Sequence, residues 1–442
     1  MTQTRASAGM AGATLTDAEH RTQLRRAVLA STIGTTIEWY DFFLYSTVTG
    51  MVFAKLYFPH ADPLVGTLEA FGIYAGGFVA RPVGAAIFGH FGDRIGRKST
   101  LIATLMLMGV ATFLVALVPG YDSIGVWGAV LLTVLRVLQG IGVGGEWGGS
   151  VLLAMEWSRS NAHRGFVASW PQLGVPAGLF LANLAVLAFS AISGDQFATW
   201  GWRIPFVLSI VLVGIGLWIR LGILETPAFR RVVEEGAVLR APLAEVWRQH
   251  PGEIILSALV RMAEQAPFYI FTAFVFSYGL SALHASRDLL LVSVLVAAVV
   301  SLVTVPLAGH LSDRFGRRRV YIFGAVLIGA FSWLYFAMLN TMLPGWIMLA
   351  IVLSLIPHDL MYGPQAALIA ETFPARLRYS GASLGYQLAS VIAGGPAPLI
   401  AAALFAHYHS GTPIALFITA CAVISVISAM LMKDYTNRDT AG

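Results

Sequence analysis

The sequence predicts an all-α membrane protein, with twelve transmembrane helices arranged as two pseudo-symmetric six-helix bundles. Three observations carry this. The chain of 442 residues is 57% hydrophobic and only 12% charged, about half the charged share of roughly 25% that a soluble domain carries. Its apolar residues come in long runs, not in short periodic stripes, and runs of about 20 residues suit a hydrocarbon core of about 30 Å. A ten-residue motif recurs close to half a chain length later. A soluble globule has no way to cover so much apolar surface with so little polar coat.

Taken in order, the elements are these. Residues 1–24 are polar and read as a cytoplasmic tail. The first apolar run follows and is too long for the core of a cleavable signal, so it reads as a retained helix. Twelve segments are long enough to span, at 27–57, 64–92, 99–118, 127–157, 164–190, 202–222, 252–280, 288–312, 319–339, 345–371, 378–405 and 412–432. They group into a first bundle at 25–222, a central cytoplasmic loop at 223–250, a second bundle at 251–433 and a tail at 434–442. The central loop holds Arg230, Arg231, Glu234, Glu235, Arg240 and Arg248.

The basic residues set the orientation. With the N-terminus inside, 22 of the 28 lysines and arginines lie in inside segments. Three (Lys55, Arg203, Arg287) lie outside, and three (Arg81, Arg136, Arg261) lie within helices. This is the positive-inside bias, and it places both termini in the cytoplasm. It also explains the net charge of +5 without invoking nucleic acid. The single cysteine, Cys421, has no intramolecular partner and implies no oxidising compartment.

The halves repeat. Residues 89–98 read GHFGDRIGRK and residues 309–318 read GHLSDRFGRR, an offset of 220. A second echo links Glu156, Arg164, Ser169 and Gln172 to Glu371, Arg378, Ser383 and Gln387, offset by 214 or 215. Parallel repeats of six helices place a binding site at their interface, near the bilayer midplane.

With these residues in view, the chain resembles a known family. GHFGDRIGRK is similar to the loop signature of the major facilitator superfamily. TTIEWYDFFLYS (35–46), ARPVGAAIFGHFGDRIGRKSTL (80–101), RVLQGIGVGGEWGGS (136–150) and GWRIPF (201–206) resemble its metabolite:proton symporters, which carry shikimate, 2-oxoglutarate, citrate or proline/betaine. The resemblance covers nearly the whole chain. It implies that the loop residues Gly89, Asp93, Arg94, Gly96, Arg97 and Lys98, with Gly309, Asp313, Arg314, Gly316, Arg317 and Arg318, govern a conformational switch without binding substrate. Plain positive-inside anchoring is the alternative for the arginines, but an acid adds nothing to anchoring. GRKS at 96–99 faintly resembles a phosphate-binding loop, but its spacing is wrong and no strand precedes it. No nucleotide site is expected, and an ion gradient is the expected energy source.

Charges inside the membrane cost roughly 2.5–3.5 kcal/mol each on insertion scales, which makes them candidates for function. Helix one holds Glu38 and Asp41 on one face, with Tyr45 a turn on. Arg81, Arg136, Glu146, Arg261 and Glu264 follow, and then His358 and Asp359 after Pro357, where the helix can kink. As structural pairs, Arg81 would neutralise Asp41 or Glu38, and Arg261 would neutralise Glu264. As functional groups, arginines would hold an anion and an acid would carry a proton. Arg136 and Glu146 lie ten residues apart, about 15 Å along a helix, too far to pair. Arg136 leads as substrate ligand, because a guanidinium fork suits a carboxylate. Arg81, Arg261, Tyr45, Tyr269 and Gln387 follow, and Tyr362 and Tyr386 are weaker cavity candidates. Asp41, Glu38, Glu146 and Glu264 are the proton candidates. Glycines four apart in helix four, at Gly140, Gly144 and Gly148 and at Gly145 and Gly149, admit a close neighbouring backbone.

The expected activity is therefore proton-coupled import of a small organic acid across a bacterial cytoplasmic membrane, by a monomer and without metal or cofactor. An osmolyte symporter, a proton-antiport exporter and a non-transporting sensor are the rivals. No nucleophile–base pair or metal-ligand spacing supports an enzyme.

Overall fold

The computed structural model describes residues 17–61, 63–158, 163–222, 224–226, 230, 233–234 and 242–436. Arg231, Glu235, Arg240 and most of both expected tails lie outside the described residues. No strand occurs among the described residues. The main helices are α1 (Asp17–Val48), α2 (Pro63–Ile95), α3 (Arg97–Val115), α4 (Trp127–Glu156), α5 (Arg164–Ala198) and α6 (Arg203–Leu221). The second set is α7 (Pro251–Ser281), α8 (Arg287–Phe315), α9 (Arg317–Leu339), α10 (Pro344–Ala370), α11 (Ala375–Tyr408) and α12 (Thr412–Leu431).

Eleven of these, α2 to α12, are long and apolar enough to cross a membrane. The exception is α1, whose middle carries Glu38, Asp41 and a run of hydroxyl side chains. Those groups face protein: Thr35, Glu38, Asp41, Ser46 and Thr47 are all buried. The helix therefore needs no apolar circumference, only an apolar back. It is already helical at Asp17, the first described residue, earlier than its apolar run, because its polar first turns continue the same helix; apolarity marks the span, not the helix end. It runs on through a π-helical turn at Thr49–Phe53 and a last turn at Ala54–Tyr57. The central segment is not all loop. Pro242–Gln249 forms a short helix whose Val246 is fully buried against Ile254, Phe373 and Leu377.

Packing repeats as the sequence does. In the first half α2 packs on α4, α3 on α4 and α6, and α1 on α5; in the second, α8 packs on α10, and α9 on α10 and α12. The halves meet where α2 touches α11 and where α5 touches α8 and α10. Outward-facing side chains on α6, α9 and α12 are apolar, including Trp218, Phe323, Val326, Val423 and Met430. The turns after α2 and α8 are matched too: Gly96 has φ 110° and Gly316 has φ 94°, which only glycine adopts without strain.

The α2–α4 contact explains the glycines of α4. A Cβ on Gly140 would sit 2.0 Å from the Gly77 carbonyl oxygen, and one on Gly144 would sit 2.0 Å from that of Arg81. Gly144→Ala is therefore expected to cost about 1–3 kcal/mol by overpacking and to lower the thermal midpoint of the detergent-solubilised protein. Gly214→Ala, on α6 with nothing within 4 Å of the added carbon, is the control and should leave the midpoint unchanged or raised.

Candidate functional site

At one end of the bundle the repeated loops lock the two halves together. Asp93, at the end of α2, accepts from the Ser380 backbone N–H (3.1 Å) and hydroxyl (2.7 Å), at the start of the α11 stretch Arg378–Ala389. Asp313, at the end of α8, accepts from the backbone N–H groups of Gly165 and Phe166, both at 2.8 Å, at the start of α5. Each acid thus caps a helix N-terminus of the opposite half, where unpaired N–H groups and the helix dipole favour an anion. The acids are offset by 220, and Ser380 lies 215 and 214 positions after Gly165 and Phe166, the same offsets as the two repeats in the sequence.

Each acid also carries its own arginine. Arg97 lies 3.0 Å from Asp93 and 3.6 Å from Glu156, and donates to the Gly92 carbonyl at 2.7 Å. Arg317 lies 3.5 Å from Asp313 and pairs with Glu371. Gly89 and Gly309 allow the contact: added carbons would meet Ser380 at 3.2 Å and Ser169 at 2.7 Å. The remaining basic residues of the motif do other things. Arg94 and Arg314 are exposed. Lys98 donates to the Leu221 carbonyl at 2.8 Å, and Arg318 to that of Met432 at 3.2 Å. Those two tie the loops to the ends of α6 and α12 within their own halves.

Halfway through the bundle lies a polar centre sealed from solvent. Arg81 on α2 and Arg136 on α4 are each 1% exposed. The Phe42 ring of α1 lies 4.4 Å from both guanidinium carbons. Phe78 approaches Arg81 at 4.1 Å, and Tyr45 and Tyr74 approach Arg136 at 4.4 and 4.7 Å. Arg136 donates once, to Gln139 at 3.2 Å. Its other two guanidinium nitrogens make no hydrogen bond, and Arg81 has only the Tyr269 hydroxyl as a weak partner. Tyr269, on the α7 side, edges Phe42 and Phe78 at 6.0 and 5.0 Å between ring centroids, so the second half closes this box.

The expected pairing of Arg81 with Glu38 or Asp41 does not form. Asp41 instead accepts from the Ser209 hydroxyl of α6 at 2.5 Å. Glu38 keeps one carboxylate oxygen without a partner. Aromatic rings, not carboxylates, surround Arg81, because Trp39, Phe42 and Phe78 occupy the faces an acid would need.

Glu146 stands apart from this centre. It pairs with Arg220 of α6 and accepts from Thr104 (2.7 Å) and Ser150 (2.9 Å). Reading Arg220 as part of the flanking positive charge missed this, since it sits at the very end of an apolar run; its 1% exposure is a tertiary fact.

The second half contributes a separate cluster. Arg261 lies 3.0 Å from Glu264, as expected, and donates to the Tyr386 carbonyl. The other Glu264 oxygen faces His358 at 3.4 Å, and His358 contacts Asp359 at 2.9 Å. The helix α10 continues through Pro357. Gln387 bridges the halves, donating to the Val143 carbonyl at 3.4 Å and accepting from Ser390 at 3.0 Å. Trp147 and Tyr386 stack across the same seam, 3.6 Å apart. Neither partnership carries a sequence signal, since each joins residues more than 200 positions apart.

Comparison with known proteins agrees with this fold. Residues 27–241 match a family model described as "Sugar (and other) transporter", and residues 254–440 match one described as "Major Facilitator Superfamily". The chain is 41% identical to the shikimate transporter of Escherichia coli K12 over 418 residues, covering 93% of this chain and 94% of that one. It is 39% identical to the inner membrane metabolite transport protein YhjE of the same strain, covering 92% and 94%. It is 32% identical to the proline/betaine transporter of Salmonella typhimurium, covering 95% and 85%. Among solved structures, the proton:xylose symporter XylE superposes with a TM-score of 0.75 at 18% identity, covering 96% of this chain and 98% of that one.

Proposed function

Because the chain belongs to the major facilitator superfamily, as a multi-pass membrane transporter, we propose that it is a proton-coupled symporter importing a small organic acid. The observation that carries this reading is the pair of buried guanidiniums, Arg81 and Arg136, which lie 4.4 Å from the same Phe42 ring, form no ion pair and keep N–H donors without an acceptor. A desolvated donor left unpaired costs free energy. Cation–π contacts offset part of that cost, and a carboxylate would remove the rest by accepting forked, charge-assisted bonds. Arg136 and Arg81 are the substrate ligands in this reading, with Tyr45 and Tyr269 walling the pocket. Arg261 shapes the second half through its ion pair.

Alternating access follows from the two Asp latches. In this state Asp93 and Asp313 hold the motif end shut, and the centre is occluded. Opening that end must release Ser380 from Asp93 and the start of α5 from Asp313 together, since pseudo-symmetry couples them. The positive-inside bias supports a cytoplasmic assignment for this end, and likeness to an inner membrane metabolite transport protein supports an inner-membrane location. Likeness to both a shikimate transporter and proline/betaine transporters leaves a zwitterion as the second reading, but two unpaired cations favour an anion.

The test is uptake into proteoliposomes under an imposed inward proton gradient. Radiolabelled shikimate is the first probe, with 2-oxoglutarate, citrate, proline and betaine as competitors. Accumulation above equilibrium that collapses with a protonophore supports symport of an acid. Preference for proline or betaine, or efflux driven by the same gradient, rejects it.

A further inference from the structure

We propose that His358, held between Glu264 and Asp359, is a proton-binding site of the second half, occupied in this closed state and separate from the arginine pair of the first half. The argument is stereochemical. A neutral imidazole has one N–H and one lone pair. Here both ring nitrogens face carboxylates: Nδ1 lies 2.9 Å from Asp359 Oδ1, and Nε2 lies 3.4 Å from Glu264 Oε1. A neutral ring would turn a lone pair toward one of the two carboxylates. An imidazolium gives each carboxylate an N–H.

The surroundings fit the charged ring. Glu264 is held by Arg261 at 3.0 Å. With its amide oriented as hydrogen bonding requires, Gln365 donates to Glu264 Oε2 at 3.1 Å and accepts from Arg261 Nε at 3.2 Å. The second oxygen of Asp359 accepts from the Thr304 hydroxyl of α8. The ring lies between Phe268 and Tyr362, at 4.6 and 5.1 Å between centroids. The other titratable neighbours are the phenols of Tyr269, Tyr362, Tyr386 and Tyr321, from α7, α10, α11 and α9. With His358 protonated, two cations balance two anions. Without that proton a buried cluster carries net negative charge, which is costly in low dielectric.

The cluster is also built to report on the other half. Phe268, stacked on His358, meets Phe43 of α1 at 5.8 Å. Its neighbour Tyr269 closes the arginine box. Separation of the halves would admit water to His358. The proton on Nε2 then passes to water and leaves a neutral ring beside Glu264. That His358 binds a proton stands on geometry alone; that this proton is the transported one rests on the symport reading above.

Two measurements decide it. His358 is the one histidine of ten that is buried as a whole residue, and with the shielded Nε2 of His20 removed by His20→Gln, its ¹⁵N-imidazole signals in nanodiscs are those spared by a soluble paramagnetic quencher. At pH 8, where free histidine with a pKa of about 6.5 is neutral, the spared ring should still show two protonated nitrogens. A spared ring with one protonated nitrogen overturns the proposal, whatever the protein transports. In proteoliposomes, His358→Gln should lower the ratio of gradient-driven shikimate accumulation to shikimate exchange at least tenfold. An unchanged ratio rejects His358 as the coupling site. If wild type accumulates no shikimate, the symport reading fails for that probe, and the imidazole signal still decides the proton site.

Discussion

Arg136→Leu is expected to reduce gradient-driven shikimate uptake by at least about 100-fold while leaving the folded protein as stable as wild type or more so. The two effects come from one cause. Arg136 is buried with only one of its guanidinium nitrogens bonded, to Gln139. Removing it relieves a desolvated cation that no carboxylate neutralises. Removing it also deletes the donors that would hold an anion. Hydrogen bonds to charged groups contribute about 1.5–3 kcal/mol each, and about 1.4 kcal/mol is a factor of ten, so two lost bonds reach this magnitude. Arg136→Lys should recover only part of the uptake, because an ammonium lacks the fork. A purified Arg136→Leu protein with a normal thermal midpoint and undiminished uptake would remove Arg136 from the substrate site.

Arg220→Met should be the most destabilising single change in the first half. It strands Glu146, 2% exposed, with only Thr104 and Ser150 as donors. Breaking a buried pair from one side costs about 3–5 kcal/mol. At roughly 2–4 °C per kcal/mol for a unit of about 200 residues, the thermal midpoint should fall by about 10 °C. The double variant Glu146→Leu/Arg220→Met removes both charges and should recover most of the loss. Scanning fluorimetry of the single and double variants in detergent reads this directly. Additive losses would mean that the two side chains do not act as a pair. Recovery in the double variant would make Glu146 an internal strut between α4 and α6, which accounts for a buried acid outside the arginine box.

The limits of sequence reading fall along a physical line. The latch residues were legible because the motif repeats at one offset, and two copies of an acid among arginines need a reason beyond anchoring. The glycines of α4 were legible as a close approach, but not that α2 supplies the backbone. Arg81 was expected to find Glu38 or Asp41, and the structure gives it rings instead. Helical phase shows that two side chains share a face of one helix, and says nothing of what a neighbouring helix inserts between them. Phe42 of α1 itself and Phe78 of α2 supply the rings that meet Arg81 in place of the acids. The same limit hid Arg220, whose partner lies 74 positions away, and the contact of His358 with Glu264 across α10 and α7.

Hydropathy, charge placement and the internal repeat by themselves determined the membrane setting, the count of helices and the two-fold plan. These follow from the cost of exposing polar backbone and charge to hydrocarbon, which acts on each segment separately. Apart from Arg261 with Glu264, whose i,i+3 spacing already paired them, tertiary structure decided which buried charges are neutralised and which are left waiting. That choice depends on distances of 3 to 4 Å between segments remote in the chain, and no periodicity within a helix encodes them.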